Sequence, residues 1–169
     1  MSILILILVC AVSSLAQPLS LCDLPGDLAG QEVQLKGVIA FGTHSTTMNV
    51  EEACRSGTAR VLAVLFADVD RPDVLYEDAY RAALRVVDPR RVVPEVCGVF
   101  SGTLLRAESF KVSGIGNARH GNGFGFNGLN RWAIVINGVS DARSCVVNQP
   151  LRLKEGALSR FRPEELNDK

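Results

Sequence analysis

The sequence predicts a mainly β domain, and three stretches of the chain support that prediction. Residues 31–42, QEVQLKGVIAFG, alternate apolar and polar side chains, which is typical of a half-buried strand. Residues 96–102, VCGVFSG, repeat a two-residue period, with valine, glycine, phenylalanine and glycine on one face. Residues 60–67, RVLAVLFA, are apolar on both faces and bounded by turn signals, which indicates a fully buried strand.

Length and charge limit what the chain can do. Its 169 residues suffice for one domain with a real core. The 18 basic and 18 acidic side chains cancel, so no overall field attracts nucleic acid or an anionic membrane. Any site for a polyanion must therefore be a local patch.

The first residues resemble an export signal. Residues 3–12 form an apolar run that is too short to cross a bilayer, and Ser14 and Ala16 satisfy the small-residue rule for signal cleavage. We therefore expect residues 1–16 to be a signal peptide and the mature chain to begin at Gln17, secreted or periplasmic and without a membrane span. The start of the segment lacks Lys and Arg, which leaves a buried strand or an uncleaved anchor as alternatives.

Removal of the signal leaves four cysteines. An exported domain with four cysteines is expected to form two disulfides, and three pairings are open. A bridge between Cys22 and Cys145 would tie the two ends of the domain together. No cysteine pair has metal-knuckle spacing and no histidine is near one, so we predict neither a metal site nor a cofactor. The four disulfide candidates are Cys22, Cys54, Cys97 and Cys145.

The first part of the domain reads as three strands followed by a helix. Gly37 lies in the middle of the first strand. A glycine at this position indicates a bend or bulge, which would allow the strand to belong to two curved sheets. A second strand is expected over 47–50 and a third over 60–67. The residues 70–73, DRPD, are a helix-start signature, and apolar residues then recur at helical spacing until Pro89.

The second part reads as two more strands separated by a long loop. Strands are expected over 92–105 and 131–136, and the glycine- and asparagine-rich residues 113–130 form the loop between them. Asn137-Gly138 is a strong hairpin signal, with one continuous strand bulged at the glycine as the alternative. Residues 148–169 are charged and are expected to form a tail.

The order of these elements and two short motifs suggest a fold. Residues 33–38, VQLKGV, and 96–100, VCGVF, resemble the opening and post-helix segments of small secreted bacterial proteins with an OB-like barrel. The likeness covers residues 30–140. It implies an OB-like five-stranded barrel over residues 17–147, with one helix between the third and fourth strands.

In that fold, the loops at 43–47 and 113–130 would frame the binding face. The second loop and the strand after it bring together basic, aromatic and amide side chains, which can stack on sugars or bases and bond their edges. The alternative is that the two phenylalanines simply fold back onto the barrel. The candidate ligand-binding residues are Arg119, His120, Phe124, Phe126, Asn127 and Arg131.

No catalytic set assembles in the sequence. His44 and His120 lack a nucleophile or metal motif, and the glycine motif of residues 123–128 leads into a strand rather than a helix. We therefore predict a non-catalytic binding module for a protein, glycan or oligonucleotide. One alternative is a secreted nuclease- or glycosidase-like hydrolase using His120 with Arg119, or Asp68 with Asp70. Another is a structural part of an envelope assembly.

Overall fold

In the computed structural model of the protein, the residues whose structure is described below form seven β-strands of one sheet. The structure describes residues 17–41, 46–52, 54–55, 60–67, 75–76, 95–108, 123–125, 128–146 and 150–151. The strands are β1 (Leu19–Ser20), β2 (Glu32–Phe41), β3 (Thr46–Asn49), β4 (Leu62–Ala67), β5 (Leu75–Tyr76), β6 (Glu95–Arg106) and β7 (Trp132–Ser144). The mainly β class predicted from the sequence is confirmed.

The strand pairings close into a ring of five strands. Strand β2 pairs antiparallel with β3, and β3 pairs antiparallel with β4. Strand β4 runs parallel to β7, β7 pairs antiparallel with β6, and β6 returns antiparallel to β2. The two short strands lie off this ring, β1 parallel to β2 and β5 antiparallel to β4.

Gly37 lies where one edge of β2 changes partner. Leu35 and Lys36 pair with β1 on this edge, whereas Val38 onward pairs with β3. A Cβ atom on Gly37 would lie 2.7 Å from the carbonyl oxygen of Asn49, the last residue of β3. Glycine is needed here because another backbone approaches this closely.

Strand β7 runs without interruption through Asn137-Gly138 and contains a bulge there. The predicted hairpin is therefore wrong, and the alternative of one bulged strand is confirmed. The partner of Ser101 in β6 is Gly138, but the partner of Gly102 is Ile136, which leaves Asn137 as an extra residue. A hairpin cannot form because the residues after Gly138 continue along β6 as far as Ser144.

A second bulge in β7 lies at its far end. Two residues of β7, including Asp141, face the single residue between Cys97 and Val99 of β6. Asp141 has a φ of 53°, the left-handed conformation that aspartate tolerates better than most residues. Beyond the bulge, the ladder resumes where Cys97 pairs with Arg143 and ends where Val96 pairs with Ser144.

The helix predicted after the third strand disagrees with the structure at the two residues of that segment which the structure describes. Leu75 and Tyr76 form β5, which pairs with Ala67 and Phe66 at the end of β4. Strand β3 pairs only with the start of β4, at Leu62 and Ala63, so the later edge is open to another strand. The rest of the predicted helix lies outside the described residues, and no α-helix occurs within them.

The core has two parts, one on each face of β4. Leu62, Val64 and Phe66 belong to the larger apolar cluster, together with side chains from β2, β3, β6 and β7. Ala63, Leu65 and Ala67 belong to a second cluster on the opposite face. All six residues of β4 are buried, which confirms a strand covered on both sides.

The disulfides join Cys22 to Cys54 and Cys97 to Cys145, so the expected Cys22–Cys145 bridge is wrong. The Cα atoms are 5.6 Å apart in the first pair and 5.2 Å apart in the second. Strand pairing explains both bridges. Strands β1 and β3 share one edge of β2, and each is followed by one cysteine of the first pair. In the second pair, Cys97 and Cys145 lie diagonally across the β6–β7 ladder, on either side of the facing residues Val96 and Ser144.

The predicted tail at 148–169 begins against the sheet. Pro150 bridges to Arg143, and the backbone N–H of Leu151 donates to the carbonyl oxygen of Ala142 at 2.8 Å. Residues 152–169 and the expected signal peptide at 1–16 lie outside the described residues.

Candidate functional site: an arginine–tryptophan cluster

The single tryptophan of the chain lies at the start of β7 between two arginines. The guanidinium carbon of Arg60 is 5.2 Å from the centre of the Trp132 ring, and that of Arg106 is 5.6 Å from it. Both distances are within the range of cation–π attraction. Arg106 pairs directly with Trp132 across β6 and β7, and Arg60 comes just before β4, the other neighbour of β7.

The alternation of side chains explains why these groups meet. Trp132 packs against the larger apolar cluster, which also contains the next residues on the same face of β7, Ile134 and Ile136. By the same two-residue period, Arg106 follows Leu104 of β6 and Arg60 precedes Leu62 of β4. The tryptophan and both arginines therefore lie where the apolar interior of the ring ends.

Glu108 links Arg106 to a third arginine. Its Oε2 atom accepts from Nε of Arg106 at 3.1 Å, and its Oε1 atom lies 3.1 Å from Nη1 of Arg131. A hydrogen bond from its own backbone N–H, followed by the charges of the two arginines, holds the pKa of Glu108 below its ordinary value of 4.5. The carboxylate is therefore ionised at neutral pH. We call Arg60, Arg106, Glu108, Arg131 and Trp132 the arginine–tryptophan cluster.

The cluster carries more positive than negative charge. Three arginines face one carboxylate, and among the described residues no acidic side chain forms an ion pair with Arg60. The side chain of Arg131 is 74% exposed, so its guanidinium is open to solvent. Although the whole chain is neutral, these side chains carry a local excess of positive charge.

The structure separates the candidate residues chosen from the sequence. Arg131 belongs to the arginine–tryptophan cluster. Phe124 is completely buried in the second apolar cluster, against the outer face of β4 and β7, and its backbone pairs with Asn130. Its ring is therefore not exposed to a ligand, in keeping with the alternative that it folds back onto the sheet. Four candidates lie outside the described residues: Arg119, His120, Phe126 and Asn127.

Sequence reasoning missed Arg60, Arg106 and Glu108. Arg60 lies just before β4 and Arg106 ends β6; the parallel pairing of β4 with β7 brings the first to Trp132, and the antiparallel pairing of β6 with β7 brings the second. The only signal in the sequence was an arginine next to each of two predicted strands and a tryptophan at the start of a third. That signal has no meaning until the strand order is known.

Two clefts lie away from the cluster. One, of about 360 Å³, is bordered by the Cys22–Cys54 disulfide and by charged residues of both signs, including Lys36 and Glu51. Lys36 Nζ is 3.7 Å from Glu51 Oε2, and Arg143 also bonds Glu51, so these charges largely satisfy one another. The other cleft, of about 540 Å³, lies along the first residues of β2. Within the described ranges, no three His, Cys, Asp or Glu side chains group as metal ligands.

These features define a disulfide-bonded β domain with a cationic and aromatic surface at one end of a strand ring. No protein-family model, curated protein or solved structure matches the chain. In the part of the chain that the structure describes, no helix has the length and apolar character needed to span a membrane.

Proposed function

We propose that the protein is an exported, non-catalytic binding module built on an OB-like barrel. The ring of β2, β3, β4, β7 and β6 supports the barrel, because five strands that pair in a closed circuit are the arrangement that such a barrel requires. The covering helix that belongs to this proposal would have to lie outside the described residues.

Export is supported by the two disulfides. Structural disulfides form and persist mainly in secreted and periplasmic proteins, where no reducing pool opens them. The signal-like residues 1–16 fit the same route, and cleavage would place Gln17 just before β1.

The arginine–tryptophan cluster is the observation that carries the binding function. Exposed arginines beside a half-buried tryptophan are the residue types that contribute most to binding at protein surfaces. Residues 128–130, the last of the glycine- and asparagine-rich stretch, lead directly into Arg131 and Trp132 of this cluster. The ligand would bind across this end of the ring.

The experiment is affinity capture from the native extracellular or periplasmic fraction, using the mature protein and two double variants. The first variant, Arg60→Gln with Arg131→Gln, removes two charges from the cluster. The second, Lys36→Gln with Arg55→Gln, removes two charges from the cleft beside the disulfide and serves as the matched control. We expect the captured component to be lost only with the first variant.

Equal capture by both double variants would contradict the placement of the binding surface. Turnover of nucleic acid or glycan by the purified protein, abolished by His120→Ala, would contradict a non-catalytic role. Both measurements use the intact mature chain.

A further inference from the structure

The ion pairs of Glu108 indicate what the cluster recognises. We propose that the arginine–tryptophan cluster binds carboxylates of an acidic, partly apolar segment of a partner protein. Glu108 occupies the carboxylate position until that segment displaces it. This inference rests on the proposed binding function and names the ligand class for the same surface.

Glu108 is an internal example of the proposed ligand group. Its two carboxylate oxygens are divided between Arg106 and Arg131, each at 3.1 Å. Charge-assisted bonds of this kind are stronger than neutral ones, and the planar guanidinium suits a carboxylate oxygen pair. A carboxylate from a partner can take the same donors.

Displacement of Glu108 costs little because its ion pairs are exposed to water. The side chains of Glu108 and Arg106 are 42% and 44% exposed, and that of Arg131 is 74% exposed. Exposed pairs of this kind contribute only weakly. Arg60, which has no acidic partner among the described residues, offers an additional positive charge for an incoming segment.

Two exposed apolar residues that neighbour the cluster in sequence favour a peptide over a bare polyanion. Val61, next to Arg60, is 43% exposed, and Leu129, two residues before Arg131, is 76% exposed. They are two of the four large hydrophobic residues that are exposed in the described part of the chain. A segment with both acidic and apolar side chains can neutralise the arginines and cover these residues, whereas a sulfated glycan can only do the first.

The test follows the fluorescence of Trp132, the only tryptophan of the protein. The mature chain is titrated at low ionic strength with a short peptide of repeated Glu-Glu-Leu and with the same peptide carrying glutamine in place of glutamate. We expect the acidic peptide to change the Trp132 emission with saturation and the neutral peptide to leave it unchanged. Arg131→Gln should weaken binding of the acidic peptide.

Displacement is tested with two charge-matched variants. Glu108→Gln frees both arginines, so the dissociation constant of the acidic peptide should fall by about threefold to tenfold, as expected for two exposed ion pairs. Glu51→Gln makes the same change in net charge and releases Lys36 and Arg143 instead. We expect it to leave the affinity unchanged. The advantage of Glu108→Gln should shrink as salt is added, because salt screens exposed charges.

Three outcomes would overturn this inference. If Glu108→Gln binds no more tightly than Glu51→Gln, Glu108 does not compete for the site. If heparin or anionic lipid vesicles change the Trp132 emission and the peptide does not, the ligand class is wrong but the binding surface stands. If no probe binds and the capture experiment also shows no dependence on Arg60 and Arg131, the proposed function itself fails.

Discussion

Substitution of Gly37 by alanine tests the closure of the strand ring. The added Cβ would lie 2.7 Å from the carbonyl oxygen of Asn49, 3.3 Å from Cγ of Met48 and 3.4 Å from Cδ1 of Leu21. The first contact is to backbone and is shorter than real Cβ atoms show, so β3 must move away from β2. The other two neighbours are completely buried and have little room to yield.

Crowding of this kind in a packed core costs about 1–3 kcal/mol. For a domain of this size, each kcal/mol lowers the melting temperature by about 2–4 °C. We therefore expect Gly37→Ala to reduce the free energy of unfolding by about 1–3 kcal/mol and the melting temperature by roughly 2–12 °C.

The assay is urea and thermal unfolding followed by circular dichroism, with Gly138→Ala as the matched control. Gly138 also lies in a long strand, but its nearest neighbour to an added Cβ is Cβ of Ser101 at 3.4 Å, an ordinary contact. Alanine there should be neutral or slightly stabilising. The reasoning is refuted if Gly37→Ala unfolds within about 0.5 kcal/mol of the wild type, the range typical of unconstrained surface positions.

Three further predictions follow from single residues. Phe124→Ala should cost about 3–5 kcal/mol in unfolding free energy, because the ring is fully buried; a loss below about 1 kcal/mol would mean that the ring is not packed in the core. Asp141→Val should cost about 1–2 kcal/mol because valine tolerates a φ of 53° poorly, whereas Asp141→Gly should be neutral in the same unfolding assay. The carboxyl carbon of Glu108 should titrate by NMR with a midpoint below 4.5, and Arg106→Gln should raise that midpoint. The ion pairs of Glu108 with Arg106 and Arg131 then stabilise the fold at pH values above the pKa of Glu108 in the unfolded chain. This stabilisation is lost as the pH falls through the lower pKa of the folded protein. A midpoint at or above 4.5 would show that the ion pairs do not form.

Most ring strands could be predicted because their signals are local. The alternation in β2 and the continuous apolar run in β4 depend only on which faces are buried, and burial follows a two-residue period. The prediction of a covered outer face on β4 was also confirmed. Among the described residues, Phe124 from the loop and Ala107 after β6 contribute to that cover.

The wrong predictions concern pairings between distant residues. Leu75 fits the helical spacing of the residues after it, but the open edge of β4 pairs it as a strand. Asn137-Gly138 has the local chemistry of a hairpin, yet β6 is long enough to pair with residues on both sides of it. In both cases, pairing with a strand that is distant in sequence overrides the local preference.

The candidate site shows the same limit. Arg131 could be chosen from sequence because basic and aromatic residues cluster around it. Arg60 and Arg106 could not, since they reach Trp132 only through the order in which β4, β7 and β6 lie in the ring. A cluster built from strand ends becomes visible only when register is known.

The proposed binding surface at Trp132 requires that the strands pair in this register, and the proposed export requires that the chain matures in an oxidising compartment. Non-reducing peptide mapping of the protein from its extracellular or periplasmic fraction tests both conditions at once. The expected result is an amino terminus at Gln17, with Cys22 joined to Cys54 and Cys97 joined to Cys145. A peptide joining Cys22 to Cys145, or four free thiols on a chain that retains residues 1–16, would contradict it.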